Sequence, residues 1–190
     1  MSITPAAIEL LGDLAPVLER WGRWYLFGAQ AVVAYGVPRL SADVDVTLEL
    51  APERAKELVA DMERAGFDLL VSDEDFVRRT RVLPFVHRGT GMPLDVVLAG
   101  SGLEEEFLER VDVLRLGGVT VPVISREDLV VAKILAGRPK DIEDARGLWR
   151  AHEEELDRDH IGRLLRLLEE ALGQSDLLPA FRSIRRPTSS

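Results

Sequence analysis

The stretch Leu26-Phe-Gly-Ala-Gln30, followed a short helix later by Arg39-Leu-Ser-Ala-Asp43-Val-Asp45, decides the fold of this chain. A tight glycine turn is followed by two carboxylates at i, i+2. Residues Asp43 to Leu50 alternate polar and apolar without a break, so as a strand they place Asp43, Asp45, Thr47 and Glu49 on one face and Val44, Val46, Leu48 and Leu50 on the other. The apolar set belongs in a core, and the acids look out together. Ionised carboxylates held this close repel each other unless a cation lies between them, and a hard divalent ion such as Mg²⁺ suits oxygen donors.

Outward from that stretch the pattern is a mixture of strands and helices. Thr4-Pro5 reads as an N-cap with proline at the first helical position, and Ile8, Leu10, Leu11, Leu14 and Leu18 recur at helical spacing. Trp24 to Phe27 is a β-prone run ending at Gly28, and Ala29 to Tyr35 reads as a short helix closed by Gly36. Pro52 starts another helix that runs to Gly66. Val82 to His87 and Met92 to Ala99 form strands joined by Arg88-Gly-Thr-Gly91, a connection short enough to require an antiparallel pair. Leu103 to Arg110 reads as a helix, and Val111 to Leu116 turns at Gly117-Gly118 into Val119 to Ile124.

Ser125 with Asp128 three residues on resembles a capping box and opens a helix ending near Gly137. Asp141 to Trp149 and His160 to Leu172 continue the helical spacing, and Pro187 to Ser190 has nothing to hold it in place. The expected class is α+β: a mixed sheet flanked by helices over residues 1–125, and a helical C-terminal portion over 126–190 that completes the same compact unit.

Composition narrows the chemistry. The 190 residues are 46% hydrophobic and 30% charged, ordinary values for a globular protein, and no apolar run approaches the ~20 residues of a membrane helix. No signal peptide is legible at the N-terminus, so a cytoplasmic protein without a membrane partner is expected. The absence of Cys excludes disulfides, thiolate zinc sites and cysteine nucleophiles. A formal charge of -9 argues against a surface given over to nonspecific nucleic-acid binding. Two basic clusters, Arg78, Arg79 and Arg81 and then Arg182, Arg185 and Arg186, leave open a local RNA contact or a plain solvated surface.

Met92 to Ala99 is apolar on both faces apart from Asp95, the pattern of a central strand with one ionisable group. A buried carboxylate requires a partner, and a cation shared with Asp43 and Asp45 supplies one if the two strands are neighbours. A hydrated strand end or a pairing Arg is the alternative.

Gly28-Ala29-Gln30, the Arg39 to Asp45 segment and Asp95 in its apolar strand together resemble the nucleotidyltransferase superfamily that includes DNA polymerase beta. Glu127-Asp-Leu-Val-Val-Ala-Lys133 and Arg138-Pro-Lys-Asp141-Ile-Glu-Asp144 look like the later motifs of its AbiEii-type toxin members. The resemblance covers residues 24–149. It departs from the family where a second small residue, Gly or Ser, usually follows the first glycine; here Gly28 is followed by Ala29 and Gln30.

The resemblance implies a metal-dependent enzyme that moves a nucleoside monophosphate from an NTP to an acceptor hydroxyl on an RNA end, a protein or a small molecule. Asp43, Asp45 and Asp95 would be the catalytic acids and would hold Mg²⁺, with Mn²⁺ as a substitute. Gly28, Ala29, Gln30, Arg39, Ser41, Lys133, Arg138, Lys140 and Asp141 would line the nucleotide. A toxin of a toxin–antitoxin pair acting on tRNA or a protein, with a cognate antitoxin as partner, is the reading closest to the motifs. Taken alone, Lys133 can equally snorkel to solvent from an otherwise apolar helix face, and Asp141 can serve as a helix N-cap. A catalytically silent nucleotide- or partner-binding domain and a D-x-D glycosyltransferase are the competing functions. His87, His152 and His160 lack ligand spacing and read as core or surface residues.

Overall fold

The computed structural model describes residues 3–100 and 102–186, so Pro187 to Ser190 lie outside the described residues. The chain divides into two compact units, Met1–Ala34 with Pro38–Ile124, and Tyr35–Val37 with Ser125–Ser190.

The first unit opens with α1 (Pro5–Leu18), whose start is capped by the Thr4 hydroxyl accepting from the Ala7 N–H. It continues through β1 (Trp24–Phe27), α2 (Gly28–Ala34), β2 (Val44–Leu48), a 3₁₀ turn at Pro52–Arg54, α3 (Ala55–Arg64), β3 (Phe67–Leu69) and α4 (Glu74–Thr80). Then come β4 (Val82–His87), β5 (Pro93–Leu98), α5 (Gly102–Leu108), β6 (Asp112–Leu116) and β7 (Val119–Val123). The seven strands form one mixed sheet in the order β3-β4-β5-β2-β1-β7-β6. Both expected hairpins, β4 with β5 and β6 with β7, are antiparallel. The class is α+β, as the sequence predicts.

One face of the sheet is sealed. Val44, Val46, Leu48, Leu83, Phe85, Leu94, Val96 and Leu98 are all buried, α1 packs on β7 and α3, and α3 packs on β3. His87 belongs to this core: it is buried, its ring lies 4.9 Å from that of Phe67, and its nitrogens meet Asp13 and Thr90. On the other face Phe107 of α5 covers Tyr25, and Tyr25 and Thr47 are buried. Further along that face Pro93 and Asp95 are exposed and Val82, Pro84 and Val97 are half-buried. The alternation in the sequence therefore separates core from open surface.

Two elements, β3 and α4, have weak signals in the sequence. β3 is three residues long and exists as the edge partner of β4. The polar α4 is held by its ends: Asp73 accepts from the Asp75 N–H, and Arg81 ends the helix at φ 56. From there the Arg81 guanidinium donates to the carbonyls of Leu98 and Ala99, so one member of the expected basic cluster is spent on the main chain.

The second unit contains α6 (Arg126–Ala136), α7 (Pro139–His152), α8 (Arg158–Leu172) and α9 (Leu177–Ile184). The Ser125 hydroxyl caps α6, accepting from the Asp128 N–H, and Gly137 ends it at φ 67. Below that cap Asp128 accepts from both Ser125 Oγ and His160 Nε2, each at 2.7 Å. Tyr35–Val37 belongs with these helices because His152 Nε2 donates to the Tyr35 carbonyl at 2.8 Å. Among the described residues no helix is long and apolar enough to cross a membrane.

Candidate active site

The site begins where β1 ends. Phe27 is the register partner of Asp45 on antiparallel β2, and Gly28 then turns at φ 68 into α2. A Cβ at residue 28 would stand 2.0 Å from Asp45 Oδ2, so glycine is required both for the backbone conformation and for the acid's position.

β5 runs parallel to β2 on its other side, and Asp95 is the register partner of Asp45. Paired residues on neighbouring strands lie on one face of the sheet about 4.8 Å apart along the hydrogen-bonding direction. The two acids predicted to meet are thus adjacent. Asp95 is exposed, not buried as its apolar neighbours suggest, because its face of β5 and β4 carries no close cover. Partial burial still desolvates its carboxyl, and the Asp43 charge adds to that, so both push it up from its ordinary value.

Asp43 precedes β2 and lies outside the ladder. Ser41 Oγ is 2.9 Å from Asp43 Oδ1 and 3.0 Å from the Asp43 carbonyl, and Gln30 Nε2 donates to the same carbonyl at 3.2 Å. Gln30 is 2% exposed. The nucleotide-facing roles read for Gln30 and Ser41 coincide with residues that reach for Asp43, a link the sequence gives no signal for.

These acids offer oxygen donors alone, with one carboxyl disturbed by the charge of another, which is chemistry a hard divalent cation relieves. Among the described residues no three acid or histidine side chains are drawn together as a finished metal cage. Arg39 is half-buried in the loop before Ser41. A cleft of about 550 Å³ lined by Pro52, Lys56, Val59, Leu69, Val77 and Leu83, among others, includes none of the three acids.

In the second unit Lys133 neither snorkels nor faces solvent. Its ammonium is buried and lies 2.9 Å from both Asp141 Oδ1 and Asp144 Oδ2. Asp141 is fully buried at the third position of α7 and also pairs with Arg138; the N-cap is Arg138 itself. Burial pushes the Asp141 carboxyl up, but the hydrogen bonds and charges of Arg138 and Lys133 outweigh it and hold the group below the usual range. Lys140 is exposed.

A mixed sheet carrying neighbouring acids behind a glycine turn has the architecture of a nucleotidyltransferase. The family described as nucleotidyltransferase of unknown function (DUF6036) matches residues 9–165, and the chain belongs to that family. No curated protein sequence matches it.

Solved structures are similar in fold. The solution structure of the antibiotic-resistance factor ANT(2″)-Ia is 18% identical and superposes with a TM-score of 0.60 over 91% of this chain and 95% of its own. The lincomycin-bound lincosamide antibiotic adenylyltransferase LnuA is 14% identical, with a TM-score of 0.52 over 78% of this chain and 98% of its own. An antigenic nucleotidyltransferase-like protein from Paracoccidioides brasiliensis is 15% identical, with a TM-score of 0.52 over 92% of each chain.

Proposed function

We propose that this chain moves a nucleoside monophosphate from an NTP to an acceptor hydroxyl at the Asp45–Asp95 site. The observation that carries the reading is the register pairing of Asp45 with Asp95 directly beside Gly28. Family membership and the adenylyltransferase fold neighbours support it.

The acceptor oxygen forms a bond to the α-phosphorus, and the bond from that phosphorus to the bridging oxygen of pyrophosphate breaks. The hydroxyl proton passes to a carboxylate oxygen of Asp95, which stands on the open face of β5. Gly28 lets a phosphate approach the main chain, and Arg39 offsets charge on the β- and γ-phosphates. Asp43, Asp45 and Asp95 would hold Mg²⁺ or Mn²⁺, which when bound neutralises the triphosphate and lowers the cost of charge at the entering and leaving oxygens. Lys140 is free of the buried cluster for a phosphate role, whereas Lys133 would first have to leave Asp141 and Asp144.

The acceptor is an RNA end such as tRNA, a protein or a small molecule. A toxin role with a cognate antitoxin draws on the likeness of residues 127–144 to AbiEii-type motifs. A small-molecule acceptor draws on the fold neighbours, an antibiotic-resistance factor and a lincosamide antibiotic adenylyltransferase.

Full-length protein incubated with Mg²⁺, labelled NTPs and each acceptor class should transfer label and release pyrophosphate, and Asp45→Ala should abolish both. Saturable NTP binding without turnover on any acceptor would leave a silent binding domain. No NTP binding at millimolar concentration with metal present would end the reading.

A further inference from the structure

We propose that Gln30 is a positioning residue, its buried carboxamide fixing the Asp43 main chain so that the Asp43 carboxylate is presented with Asp45 and Asp95 to a divalent cation. This rests on the site assigned above, and it changes the role read for Gln30 from contact with phosphate to control of an acid.

Asp45 and Asp95 are set by sheet ladders; Asp43 is not. Residues 37–43 contain no helix or strand, and Asp43 is exposed one residue before β2 begins. An exposed loop residue of that kind is ordinarily mobile. Its carbonyl is instead held from the interior by a side chain 2% exposed, on a helix that starts at the glycine turn beneath Asp45. One structural origin therefore serves two acids: Gly28 makes room for Asp45, and two residues later Gln30 reaches Asp43.

The neighbouring hydroxyl gives the arrangement its purpose. Ser41 Oγ lies within hydrogen-bonding distance of both the Asp43 carbonyl and Oδ1, but its single proton serves one acceptor at a time. With the Gln30 carboxamide on the carbonyl, the Ser41 proton is available to Oδ1 and orients the carboxylate. Without Gln30, the Ser41 hydroxyl is drawn to the carbonyl, and the carboxylate loses its guide. Partners of this outer kind typically change metal affinity by about 10–100-fold when removed.

The test uses the full chain and Gln30→Met, which keeps length and apolar volume but lacks a donor. Mn²⁺ binding is read by electron paramagnetic resonance with α,β-methylene-ATP, amide hydrogen exchange is followed over residues 41–44, and kcat is measured against Mn²⁺ concentration. The expected result is a rise of about tenfold in half-saturating Mn²⁺ and faster exchange confined to that segment, with kcat at saturating metal falling less than threefold. Unchanged Mn²⁺ affinity and unchanged exchange in the folded variant would overturn the proposal. If wild-type protein takes up no Mn²⁺ with nucleotide, the transferase reading fails instead, and the exchange comparison alone judges the clamp: unchanged exchange overturns it, and a local increase upholds it. Should Gln30→Met not fold, the wild-type Gln30 carboxamide protons decide. Slow exchange with solvent supports the clamp, and exchange at the rate of a free amide overturns it.

Discussion

Gly28 and the Asp45 carboxylate occupy touching volumes: a Cβ on residue 28 would stand 2.0 Å from Asp45 Oδ2. The contact ties a backbone constraint to a chemical one. Gly28→Ala forces a non-glycine residue to φ 68 and displaces the Asp45 carboxylate from its present position. The strain alone costs about 1–3 kcal/mol, and the displaced carboxylate should lower transfer by at least about 100-fold, since small misplacements of reacting groups are that costly. Thermal unfolding and pyrophosphate release measure the two effects separately. Activity retained in Gly28→Ala would show that Asp45 does not need its present position.

How much of this was legible is uneven, and the reasons are physical. Period-two alternation puts Asp45 and Thr47 on one face of β2 wherever the strand lies, so that part follows from local geometry, whereas Asp43, expected in the same strand, falls one residue before it. The parallel pairing of Asp45 with Asp95 depends on which strands become neighbours after α3, β3, α4 and β4 have intervened, and no local pattern encodes it. Apolar flanks made Asp95 read as buried, yet burial of a strand face is decided by what packs over it, and this face is open. Lys133 shows the opposite error. An ammonium on an apolar helix face reads as solvent-seeking until the helix beyond Gly137 brings Asp141 and Asp144 back to it. The helix Leu177–Ile184 did carry a signal, with Leu177, Phe181 and Ile184 buried at i, i+4 and i+7.

Asp95→Asn should separate stability from activity. Desolvation and the Asp43 charge both disfavour ionised Asp95, so the folded state carries a cost that is present once pH exceeds the ordinary Asp range near about 3.9. The neutral variant removes that cost at pH 7, and the gain should disappear as pH falls below about 4, where wild-type Asp95 is protonated in either state. Because the side chain is exposed, the gain is well under about 1 kcal/mol, a shift of a few degrees at most in Tm. Transfer should be abolished. A variant less stable than wild type at neutral pH would mean that Asp95 already makes a favourable contact in the folded protein.

Lys133→Met tests the buried cluster of the second unit. Removing the ammonium leaves Asp141 and Asp144 facing each other at low exposure, and breaking a buried pair in this way costs about 3–5 kcal/mol. The triple variant Lys133→Met, Asp141→Asn, Asp144→Asn should recover much of that loss, because no buried charge is then left without its partner. Urea unfolding followed by Trp149 fluorescence measures both. A single variant as stable as wild type would place Lys133 outside the structural framework and leave its ammonium free for a ligand.

The same cluster sets an acid limit on stability. Asp141 is held below its ordinary range in the folded chain, so the unfolded chain binds its proton first as pH falls. The stabilisation is complete above the ordinary Asp value of about 3.9 and is lost as pH drops through the lower folded value. Wild-type stability should therefore fall steeply below about pH 4, whereas Asp141→Asn should begin lower at pH 7 and show a shallower slope in the same window. Unfolding midpoints in urea between about pH 2 and 7 give both curves. Parallel curves would assign the acid limb to other carboxylates, among which Glu49 and Glu155 are also held below their usual range by arginine partners.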